Sequence, residues 1–130
     1  DNLVLGFNAT LTDGRPFGCI GTHPTDTFAQ QYGDDSWFCA GQATPRGSIS
    51  KSDTIFSLDF SMAFDMGGAG IIKESFFKVD VFNILGQDGV DDINEYGENG
   101  GPSSYPQQYY QLPVSYQYPR QIRLGLEARF

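Results

Sequence analysis

Residues 121–130 read QIRLGLEARF, from Gln121 to Phe130. Ile122, Leu124, Leu126, Ala128 and Phe130 take alternate positions, and Gln121, Arg123, Gly125, Glu127 and Arg129 lie between them. Successive side chains of a strand point to opposite faces, so this stretch makes one apolar face and one polar, charged face. About ten residues is also the length of a tilted transmembrane strand, and this one ends on an aromatic residue. A soluble sheet gives the same alternation, so the outer-membrane barrel enters as an expectation that the rest of the chain has to support.

Three further stretches alternate. Leu3, Leu5, Phe7, Ala9 and Leu11 face away from Val4, Gly6, Asn8, Thr10 and Thr12. The longest pattern places Phe56, Leu58, Phe60, Met62, Phe64 and Met66 against Ser57, Asp59, Ser61, Ala63 and Asp65. It runs into Gly67-Gly68-Ala69-Gly70, read as a tight hairpin connection, after which Phe77, Val79 and Val81 oppose Lys78 and Asp80. The parity blurs over Phe82, Asn83 and Ile84, where either a bulge or the membrane boundary is expected. The predicted strands are therefore about 3–12, 54–66, 74–85 and 120–130. The connections of about 13–53 and 86–118 carry no sustained period, and connections of that length usually serve function.

Composition agrees with an all-β chain: 130 residues hold 11 Phe, 7 Tyr, 16 Gly and 7 Pro, with 18% charged residues. A formal charge of −8, from 16 acidic and 8 basic residues, argues against nucleic acid, whose phosphates need clustered cations. The first residues, DNLVLGFNAT, lack the basic start and apolar centre of a secretion signal, so an exported protein would carry its signal upstream. Cys19 and Cys39 share one turn-rich segment, which favours a disulfide over two buried thiols. Closing that loop would stabilise by roughly 3 kcal/mol in the chain-entropy account.

No catalytic constellation emerges, and no enzyme activity is expected. His23, the single histidine, precedes Pro24 in a loop and has no nucleophile beside it in a known pattern. One histidine and two bonded cysteines do not make a zinc site. The GGAGIIKES run (67–75) lies in a strand context and is a turn rather than a phosphate loop. Asp88, Asp91, Asp92, Asn94, Glu95 and Glu98 offer oxygen ligands for calcium, but their spacing departs from the EF-hand. A solvated acidic loop is the preferred reading, and neither a metal nor a cofactor is assigned. Tyr105, Tyr109 and Tyr110 are candidate ligand-facing residues, while Tyr116 and Tyr118 suit an interfacial aromatic girdle.

Short and long connections alternate as they do in outer-membrane barrels, which have short periplasmic turns and long extracellular loops. With the glycine turn on the periplasmic side, both long loops and the cysteine pair fall outside the cell. Asp59, Asp65, Lys78, Asp80, Arg123, Glu127 and Arg129 would then face the lumen. Four strands cannot close a membrane barrel, for which about eight are needed.

Specific segments resemble Oar-like TonB-dependent outer-membrane receptors. They are GRPFGC (Gly14–Cys19), HPTD (His23–Asp26), FCAGQATPRGS (Phe38–Ser48), FKVDVFNILG (Phe77–Gly86), NEYGE (Asn94–Glu98) and YQYPRQIRLGLEARF (Tyr116–Phe130), in order over nearly the whole chain. The resemblance implies that residues 1–130 are the carboxyl-terminal portion of a barrel of about 22 strands that imports a nutrient. The remaining strands and the plug would lie on other polypeptide segments, and the TonB system would act through that plug. Ile122, Leu124, Leu126 and Phe130 would match the signal read by the barrel-assembly machinery. Lipid of the bacterial outer membrane would surround the apolar face. The alternative is a secreted all-β binding module with a disulfide-pinned recognition loop.

Overall fold

The computed structural model describes residues 2–99 and 107–128. In chain order its elements are β1 (Leu3–Thr12), β2 (Pro16–Phe17), β3 (Gly21–Thr22), α1 (Thr27–Tyr32), β4 (Asp35–Ser36), β5 (Phe38–Cys39) and β6 (Gln42–Ala43). They continue with β7 (Ser50–Lys51), β8 (Ile55–Asp65), β9 (Ser75–Phe82), β10 (Val90–Ile93), β11 (Pro113–Tyr116) and β12 (Gln121–Ala128). Strands dominate, all their ladders are antiparallel, and no helix is long and apolar enough to cross a membrane. The chain forms two compact units. One is a sheet unit (1–12, 55–88 and 117–130), and the other a loop unit (13–54 and 89–116).

The sheet unit is a four-stranded sheet in the order β1-β8-β9-β12. Its register keeps every apolar stripe on one side. Leu5 pairs with Met62, Phe7 with Phe60 and Leu11 with Phe56. Met62 then pairs with Val79 and Phe64 with Phe77, and across the last ladder Val79 meets Leu124 and Phe77 meets Leu126. A slip by one residue would invert a whole strand, so the patterning sets this register. The Phe7 and Phe60 rings pack at 5.2 Å between centroids, a separation at which tilted aromatic pairs attract.

Two boundaries differ from the sequence reading. The β8–β9 connection spans residues 66–74 rather than the four residues 67–70. Asp65 organises it by accepting from Gly68 N at 2.8 Å through its side chain and from Ala69 N at 3.2 Å through its carbonyl. Gly70 takes the left-handed φ of 74° that the reversal needs. The upper end of β9 carries no bulge; it stops at Phe82 because Asn83 turns left-handed with a φ of 49°.

The loop unit replaces the two periodless connections with local order. Two-residue ladders join β2 to β7, β3 to β4 and β5 to β6, and β10 pairs with β11 through an irregular register. Asp26 caps α1 by accepting from Phe28 N and Ala29 N, and Gly33 ends it at a φ of 74°. Cys19 and Cys39 form the expected disulfide, with 6.0 Å between their Cα atoms. The two segments of the unit are joined by the parallel bridge of Ile20 with Tyr96 and by Ile20 N donating to Glu95 O at 2.7 Å.

Candidate functional site

The apolar side of the sheet is its most consequential surface. Phe17, Cys19 and Ala29 are the buried hydrophobic residues among those described, and all three belong to the loop unit. In the sheet unit Phe7 is 70% exposed, Leu124 66% and Leu126 69%, and Leu3, Leu5, Leu11 and Ile122 are exposed too. The apolar residues of the outer strands β1 and β12 thus lie uncovered, those of β8 and β9 between them are half-buried, and a monomer in water rarely leaves more than a few hundred Å² of contiguous apolar surface. Leu124 and Leu126 do not meet Phe56, Phe60 and Phe64 in a closed core. Within the described residues β1 pairs only with β8 and β12 only with β9, which leaves two open edges.

The opposite face mixes Val4, Phe76 and Phe82 with the charged residues of the sheet, which pair among themselves. Arg123 donates to Asp80 Oδ2 through Nε at 2.9 Å and through a terminal nitrogen at 2.7 Å. Its guanidinium also lies 5.6 Å from the centre of the Phe82 ring. Lys78 Nζ reaches Glu127 at 2.8 Å, while Asn8 donates to Asp59 at 3.3 Å. Asp59 also accepts from Ser57 Oγ at 3.1 Å and from Asn83 N at 2.9 Å. Arg129 and the terminal aromatic Phe130 lie outside the described residues. Ile122, Leu124 and Leu126 stand on the apolar side of β12.

Asn83, only 3% exposed, fastens β9 to the approach of β12. Its Nδ2 donates to Gln87 O at 2.7 Å and Tyr118 O at 2.9 Å, and its Oδ1 accepts from Gln87 N at 3.2 Å. Gln117 Nε2 adds a bond to Phe56 O at 2.7 Å. The VDVFN and YPR stretches therefore meet in one polar knot. The sequence reading saw only blurred parity there; an asparagine followed by Gly86 in a strand-ending context was the available clue to a left-handed stop.

Glu95 organises the loop unit. It is 7% exposed and draws together segments that are far apart in sequence. Gly18 N donates to its Oε1 at 3.2 Å, and Oε2 lies 3.2 Å from Arg15 and 3.5 Å from Arg46. Arg15 also holds Asp92 at 2.5 Å, and Arg46 lies 5.5 Å from the centre of the Trp37 ring. Glu98 accepts from Ala40 N at 2.7 Å beside the disulfide. A Cβ on Gly97 would fall within the radius of Cys19 Sγ, so the bonded sulfur and the NEYGE backbone fit only without a side chain there. Acid-rich loops with few cations are the clue to these pairings, although without the fold the carboxylates read as solvated.

The remaining candidates separate. His23 is a turn residue whose Nδ1 accepts from Thr25 N at 3.3 Å and Asp26 N at 3.1 Å. Tyr109 is exposed, whereas Tyr110 points its hydroxyl at Gly18 O at 3.5 Å. Tyr105 lies outside the described residues. Tyr116 belongs to β11 rather than to the mouth of the last strand, and the Tyr118 carbonyl is held by Asn83. Of the calcium candidates, Asp92 and Glu95 are occupied by arginines, and Asn94 Oδ1 accepts from Tyr96 N at 2.9 Å. Among the described residues no three His, Cys, Asp or Glu side chains are grouped to hold a metal. No family model matches the chain, nor does any curated protein or solved structure.

Proposed function

We propose that this chain supplies the last four strands and last two extracellular loops of an Oar-like TonB-dependent receptor, a transport protein of the bacterial outer membrane. One observation carries the reading: a sheet with two open edges keeps one apolar face in register across its four strands, half-buried on β8 and β9 and exposed on β1 and β12. In water such a face is a liability; against lipid it is the required surface. Open edges inside hydrocarbon would strand backbone N–H and C=O groups at several kcal/mol each, so further strands must flank β1 and β12. Those strands, and the plug through which TonB energises import, belong to other polypeptide segments. The paired polar side suits a hydrated or plugged lumen, and the barrel-assembly machinery would read Ile122, Leu124, Leu126 and Phe130. No catalytic role is assigned to any residue.

The test uses single cysteines at Leu124 and Arg123, each labelled with an environment-sensitive fluorophore in membranes from cells producing the protein. A lipid-borne quencher should dim the Leu124 label several-fold more than the Arg123 label. Equal quenching would remove the transporter reading. A soluble monomer that unfolds cooperatively without detergent would do the same, and would promote the secreted binding module.

A further inference from the structure

Leu112, Val114 and Tyr116 are alternate residues leading into and along β11, and all three are exposed, Val114 by 63% and Tyr116 by 59%. Side chains two apart on a strand share a face, so they form a short apolar stripe. Ser115 between them is half-buried, and its position pairs with Asp92 of β10. Among the described residues β11 has β10 as its one sheet neighbour. The backbone of Val90 in β10 is also engaged by Asp53, whose N donates to Val90 O at 3.0 Å and whose Oδ2 accepts from Val90 N at 2.8 Å. The available edge of the ribbon is therefore that of β11. Pro113 has no N–H to offer, and its pairing with Ile93 turns the Val114 N–H toward β10, so added pairing would begin beyond Val114.

Charge selects what this edge takes. The loop unit contains nine acidic residues and three basic ones. Each of the three cations is already paired: Arg15 with Asp92 and Glu95, Arg46 with Glu95, and Lys51 with Asp13. Asp91 sits on the ribbon itself, with Ser115 Oγ at 3.5 Å from its carboxylate. A negative field of this kind attracts basic partners and repels acidic ones.

We propose that β11 docks an extended, basic polypeptide segment of a second protein or peptide, added as a further strand. Alternate apolar side chains of the segment would lie on Leu112, Val114 and Tyr116. Its Lys and Arg residues would meet the surplus carboxylates, the division between backbone and side-chain recognition common to strand addition. The proposal concerns the loop unit alone and holds whether the chain is a receptor segment or a secreted module.

The experiment titrates the purified full chain with an end-capped peptide of alternating Lys and Val, and with its Glu-for-Lys counterpart. The Lys peptide should bind and weaken with rising salt, and the Glu peptide should not bind. V114K should weaken binding at least tenfold, whereas D34K, in the turn after α1, should change it less than threefold. Resistance of V114K to limited proteolysis, equal to that of the parent chain, reports that the unit still folds, and V114T, which keeps the branched shape, should bind more tightly than V114K. Equal binding of both peptides, failure of the Lys peptide to bind, or equal losses in V114K and D34K would overturn the proposal.

Discussion

Glu95 shows how one carboxylate can determine a loop's shape. Glu95→Ala would leave the Gly18 N–H without its acceptor and deprive Arg15 and Arg46 of the anion they share. The loss should be about 1–3 kcal/mol, the cost of a buried group left unsatisfied, and Glu95→Gln should lose less because an acceptor remains. Trp37, stacked by Arg46, is a local reporter, so denaturant unfolding followed by its fluorescence measures both variants. An unchanged midpoint in Glu95→Ala would refute the role. Asp13 tests the electrostatics from the exposed side. Lys51 Nζ lies 2.6 Å away, and its hydrogen bond and positive charge hold the Asp13 carboxyl below the ordinary range. A depressed folded-state value stabilises at pH above the unfolded value, and that contribution disappears as pH falls through the folded one. Lys51→Met should raise the Asp13 midpoint toward ordinary values in an NMR titration, with little change in stability because the pair is solvated.

At the scale of elements, β12 makes the sharpest test because adjacent residues have opposite surroundings. On the proposed function, Leu126→Arg should cost roughly 2–4 kcal/mol in bilayer folding assays, as charge on a lipid-facing position does near mid-membrane. Glu127→Arg should be milder: it loses the 2.8 Å contact with Lys78, and exposed ion pairs contribute at most about 1 kcal/mol. Equal losses would mean the two faces are misassigned. Asn83→Ala should cost about 2–4 kcal/mol, combining a left-handed alanine with released Gln87 and Tyr118 carbonyls. Hydrogen exchange should show β12 amides losing protection while β1 keeps its own; a uniform loss would deny the knot its local role. These elements were unequally legible. The four long strands were readable because parity is written at every second residue, from Leu3 to Leu11 and from Phe56 to Phe64. The loop unit was not, since ladders such as Phe38–Cys39 with Gln42–Ala43 are too short for periodicity. Its organising contacts join residues as distant as Gly18 and Glu95. Helix α1 did leave a trace in Asp26 before the helix and Gly33 after it, but six residues give too little pattern to outweigh the surrounding turns.

At the scale of the molecule, the sheet's register was visible in the sequence because one apolar face must be kept in phase over four strands. The sequence shows the chemistry of that face, and what lies against it and beyond the two open edges belongs to the proposed function. The loop unit has another property, which follows from its being stitched from residues 13–54 and 89–116 with the β8–β9 hairpin between them. The disulfide lies wholly in the first segment, while Glu95 and the Ile20–Tyr96 bridge come from joining the second to it. Transplanting the first segment alone onto a foreign antiparallel sheet should therefore give a loop that is oxidised yet readily cut by protease, whereas moving both should restore resistance. Limited proteolysis of the two chimaeras decides this, and equal resistance would show the first segment to be self-sufficient. For an engineer the two connections are a single exchangeable part, and inheritance that shuffles one of them without the other hands down half a fold.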